Sequence, residues 1–152
     1  MNVSSFELMP LVKGALKHSQ KVRLTVSGSS MIPFIYNGDI VELESIKTLR
    51  LGDIVLAEPK EGHYVIHRIV KVGKESLWLQ GDAQTKSEGP ILTKSALGKV
   101  TTVSHDGRIR CLEEGLWRVG GVIWAATRPA GAFLLSYLGL LRRIFRRFLK
   151  II

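Results

Sequence analysis

The feature that most constrains this chain is the close spacing of turn signals along its middle. Asn37-Gly38 precedes the run DIVEL, and Leu51-Gly52-Asp53 precedes IVLAE. Glu61-Gly62 separates that run from HYVIHRIVKV, and SLWLQ follows. Asp106-Gly107 stands between GKVTTVSH and RIRCL, a strong hairpin signal. Short β-branched runs broken in this way predict a mainly β fold, a small coiled antiparallel sheet or partial barrel. With 152 residues, 45% of them hydrophobic, the chain can bury one real core. The single cysteine, Cys111, excludes an internal disulfide and a cysteine-rich zinc site.

The ends read differently. Residues 1–20 predict a short amphipathic helix packed on the domain. FELMPLVKGAL is too short and interrupted to span a bilayer, and no signal peptide is evident. Residues 21–114 form the expected β domain. Residues 115–152 form an apolar, basic segment that holds +7 of the net charge of +9 and no acid. The nearly balanced body argues against a nucleic-acid-binding surface.

Within the β domain, Leu24-Thr25-Val26 runs into Ser27-Gly28-Ser29-Ser30 and is then turned by Met31-Ile32-Pro33. Small residues in a turn let a hydroxyl and backbone N–H groups face open space together, as an acyl-transfer nucleophile requires. An ordinary turn has the same composition. In HYVIHRIV, alternation puts His63, Val65, His67 and Ile69 on one face. His63 and His67 then stand about 13 Å apart, too far to share one metal ion. The polar stretch GDAQTKSEGP offers Asp82 and Glu88, acids that ordinarily serve turns or caps.

The ordered set SGSSMIP, NGDIV, LGDIVLA, VIHRIV, LQGDAQ and LGKV resembles the serine peptidases that include type I signal peptidases and LexA-like self-cleaving repressors. The resemblance covers about residues 21–103. It implies that Ser30, directly before Met31, is the nucleophile. It implies that His67 is the general base, at the place where bacterial signal peptidases and LexA-like proteins carry lysine. Histidine followed by arginine, as in His67-Arg68, is similar to the endoplasmic-reticulum and archaeal signal peptidases. A neutral imidazole takes the hydroxyl proton and returns it to the leaving amine.

Two positions depart from that branch. The second acid, six residues after Asp82, is Glu88 and not aspartate, so either carboxylate is a candidate to orient His67. The position two before the nucleophile, often a hydroxyl residue, is Gly28. The oxyanion and substrate contacts then fall to backbone groups around Gly28, Ser29, Ser30 and Met31. The resemblance implies neither metal nor cofactor.

The final stretch YLGLLRRIFRRFLKII places apolar residues at helical spacing opposite Arg142, Arg143, Arg146, Arg147 and Lys150, a pattern suited to an anionic lipid surface. Residues 117–141 lack an uninterrupted apolar span. The expected protein is a signal peptidase-like serine endopeptidase at the cytoplasmic face of a membrane, acting on peptide or preprotein leader segments. The alternatives are a non-catalytic peptide-binding or membrane-adaptor protein of the same fold, or a LexA-like regulator.

Overall fold

The computed structural model describes residues 5–127. Helix α1 (Ser5–Lys17) is followed by β1 (Val22–Thr25), β2 (Ile40–Glu44), β3 (Ile54–Lys60), β4 (His63–Val72), β5 (Ser76–Gln80), β6 (Glu88–Leu92), β7 (Ala96–His105) and β8 (Arg108–Cys111). Residues 115–127 are helical. The strands make one open antiparallel sheet in the order β1-β2-β7-β3-β4-β5-β6, with β8 paired to β7. This is the mainly β architecture that the turn spacing predicts.

The turns are set by local chemistry. Asn37-Gly38-Asp39 and Leu51-Gly52-Asp53 use one geometry twice. Gly38 and Gly52 have φ of +89° and +87°, which a side chain would strain. The carboxylates of Asp39 and Asp53 accept from the backbone N–H groups of Tyr36 and Arg50, both at 2.8 Å. At the β7–β8 hairpin, Asp106 and Gly107 both have positive φ, the pairing that favours a two-residue I′ loop.

The continuous apolar run of β3 has a clear physical reason. Its side chains alternate between two cores. Ile54 and Leu56 join Met9, Val12, Leu16, Met31, Ile35, Val41, Leu43, Val100 and Val103. Val55 and Ala57 join Ile69, Leu77, Leu79 and Ile91. Helix α1 covers the first core with Met9, Val12 and Leu16, at helical spacing. Gly98 makes room for it, because a Cβ there would lie 2.8 Å from Leu16 Cδ1.

Two sequence-level expectations look different in the structure. The last three residues of GDAQTKSEGP are strand, not loop: β6 pairs with β5 through Leu79↔Glu88 and Leu77↔Ile91. Pro90 is tolerated because β6 is an edge strand. Residues 115–127, grouped by composition with the tail, are packed on the body, with Ala125 buried and Arg118 paired to Asp53. The helix expected over 137–152 lies outside the described residues. Among the described residues, no helix is long and apolar enough to cross a membrane.

Candidate active site

An open cleft of about 270 Å³ lies between the chain leaving β1 and the first half of β4. Leu24, Thr25, Val26, Ser27, Gly28 and Ser30 line one side, and Tyr64, Val65, Ile66 and His67 line the other. The buried side chains of Met9, Met31 and Leu56 complete its lining. Both walls present free backbone edges. Strand β1 pairs only with β2 among the described residues, and β4 pairs with β5 only from Arg68 onward. An extended peptide laid in this cleft therefore finds unpaired backbone groups on both sides.

Ser30 opens a turn that continues through Phe34. Phe34 and Ile35 both donate to the Met31 carbonyl at 3.0 Å. The apolar side chain of Met31 is buried and anchors the turn, while Ser30 stays half-exposed at the cleft. Gly28, with φ of +109°, reverses the chain ahead of the serine. Its Cβ position is open space, so glycine is needed there for conformation and not for room. Its N–H donates to Asn37 Oδ1 at 3.0 Å, which occupies one of the backbone donors expected for an oxyanion. Ser29 is exposed and is not among the residues that line the cleft.

His67 sits opposite Val55 in the β3–β4 pairing and is 7% exposed. Burial, chiefly, pushes its pKa below the usual histidine value. The charges of Glu88 and, to a lesser degree, Asp82 oppose that shift, while His63 adds to it. The imidazole is thus held neutral near pH 7, the form that accepts a proton. Its Nδ1 atom is buried without a hydrogen-bond partner.

The two acids have different surroundings. Asp82 is buried and takes two bonds from Arg68, Nε to Oδ1 at 2.8 Å and Nη2 to Oδ2 at 2.7 Å. Arg68 also donates to the Gly52 carbonyl at 2.9 Å. Asp82 therefore ties its loop to the residue after His67. The loop is tied to the serine as well: Ala83 N–H donates to the Ser30 carbonyl at 2.8 Å. A Cβ on Gly81 would come within 2.7 Å of that same oxygen. Glu88, on β6, is the carboxylate whose charge most strongly favours a protonated His67.

The structure thus brings Gly28, Ser30, Met31 and His67 to one cleft, with Asp82 bracing it from behind. His63 is exposed, and no group of three or more metal-ligating side chains exists among the described residues. Sequence reasoning missed Asn37 and the bracing role of Arg68. Asn37 carried only a turn signal, and the Arg68–Asp82 pair spans 14 residues with no local signature.

A family model described as Peptidase S24-like matches residues 3–101. The chain belongs to that family, within the superfamily of LexA-like and signal peptidase I-like proteins. No curated protein matches the chain.

Proposed function

We propose that this protein is a serine endopeptidase of the signal peptidase type, with Ser30 as nucleophile and His67 as general base. The observation that carries the reading is the shared cleft. A half-exposed serine and a buried, neutral histidine line it together, between two free strand edges suited to an extended peptide. Ser30 Oγ attacks the scissile carbonyl as His67 takes its proton. The bond to the leaving amine breaks as that proton is returned, and water then releases the acyl group by the same route. Glu88 is the favoured acid for holding His67, because Asp82 is engaged by Arg68.

The substrates on this reading are leader or signal segments of peptides or preproteins, cut at the cytoplasmic face of an anionic membrane. The membrane part rests on the six basic residues of 128–152 and on the exposed Leu116, Val119 and Ile123 of the helix over 115–127. A fluorophosphonate probe should label the full-length protein, and Ser30→Ala should remove the label.

One observation favours a second reading. His67 Nδ1 is buried without a hydrogen-bond partner, so no acid holds the ring at that atom. A non-catalytic peptide-binding protein of the same fold predicts no labelling at all, yet retained binding of extended peptides. A LexA-like regulator predicts cleavage of its own chain in place of added peptides.

A further inference from the structure

The helical residues 115–127 are fastened to the body at several points. Arg118 pairs with buried Asp53, which also lies 3.5 Å from Lys99 of β7. Arg110 of β8 stacks its guanidinium on Trp117 at 5.1 Å. The helix backbone comes close as well. A Cβ at Gly52 would lie 3.0 Å from the backbone of Val122, and one at Gly121 would lie 2.7 Å from Arg68 Nη1.

This helix packs behind the reactive pair. Phe34 closes the turn that begins at Ser30. The Arg68 guanidinium stacks on its ring at 4.6 Å. Trp124 and Trp117 meet the same ring edge-on, with centroids 5.5 and 6.5 Å away. Arg68 follows His67 directly and holds Asp82, whose neighbour Ala83 bonds the Ser30 carbonyl. Phe34 is where the nucleophile's turn, the base's strand and the C-terminal helix meet.

We propose that the helix over 115–127 is a positioning element for Ser30 and His67, acting through Phe34 and Arg68. A ring stacked on a buried guanidinium keeps its place while its edges are also packed. Without Trp117 and Trp124, the Phe34 ring gains room, and the turn carrying Ser30 loses the contact that fixes it against β4. Displacements of about 1 Å between reacting groups are enough to slow an enzyme about a hundredfold. Trp117 and Trp124 are positioning residues, since they work through Phe34. The catalytic consequence rests on the peptidase reading; the structural consequence does not.

The test uses the full-length protein carrying Trp117→Ala with Trp124→Ala, compared with Trp117→Phe with Trp124→Phe. Amide hydrogen exchange is read at Phe34, Ile35 and Ala83, with Val41 and Val103 as references in the β2–β7 core. The alanine pair should speed exchange at the first three amides by about tenfold or more and leave the references little changed. It should lower kcat for a short peptide by about tenfold with KM nearly unchanged, and the phenylalanine pair should restore both. Equal acceleration at all five amides, no acceleration, or faster exchange with kcat intact would each overturn the proposal. A wild-type protein that cleaves nothing and reacts with no serine probe, together with the expected exchange pattern in the alanine pair, would sustain the contact's structural role and refute the peptidase reading.

Discussion

Ser30 and His67 form a functional unit in the proposed chemistry, so losing either removes nearly the whole covalent route. Ser30→Ala and His67→Ala should each abolish peptide cleavage with the fold intact by circular dichroism. Ser29→Ala should cost little, because Ser29 is exposed and outside the cleft lining. The pH profile follows from burial. His67 must be neutral to act, and its pKa lies below the ordinary 6.5. The rate should therefore climb with pH through a midpoint below 6.5 and level off by neutrality. Glu88→Gln removes a charge that favours the imidazolium, so that midpoint should move to lower pH. If Glu88 also orients the ring, the plateau rate falls too. Stability shares the sign: the unfolded chain binds the His67 proton at higher pH than the folded one, so this group's contribution fades as pH drops below 6.5. Activity rising only at strongly alkaline pH would mean that the base is a lysine.

The segment from Gly81 to Glu88 shows what one element does for the site. Its acids looked like turn residues from their neighbours, yet Asp82 is buried against Arg68 and Glu88 begins a strand. Asp82→Asn should destabilise the protein by about 3–5 kcal/mol in chemical denaturation, because it leaves the Arg68 charge buried without its anion. Glu88→Gln, at a half-buried edge position, should cost far less. Comparable losses from the two substitutions would show that the buried pair is not the brace. Gly81→Ala should lower both stability and turnover. Its Cβ would strike the Ser30 carbonyl, which is backbone and cannot swing aside, and overpacking of this kind costs about 1–3 kcal/mol. A fully active, fully stable Gly81→Ala protein would show that the loop and the serine turn move independently.

At the scale of the whole molecule, the candidate cleft is lined by residues between Met9 and His67, whereas five basic residues cluster in 142–150. Deleting residues 137–152 should release the protein from anionic vesicles in a flotation assay and leave cleavage of a short soluble peptide largely intact. Each basic residue near such a surface contributes about 1 kcal/mol, so binding should weaken with salt. Resistance to both high salt and alkaline carbonate would mean insertion in place of surface contact. Among the features legible in the chain, the sheet came from turn residues and β-branched runs, signals that act over two to ten residues. Ser30 and His67 were legible as candidates through the resemblance that the ordered short motifs carry, a serine directly before Met31 and a histidine followed by Arg68; their local patterns alone fit an ordinary turn and an ordinary strand histidine equally well. Tertiary structure alone decided that Asp82 braces Arg68, that Met9 of α1 lines the cleft, and that residues 115–127 pack behind Phe34. The reason is physical: an ion pair across 14 residues, or a ring packed against a helix some 90 positions away, leaves no periodic trace in the chain and exists only once the sheet has brought its partners together.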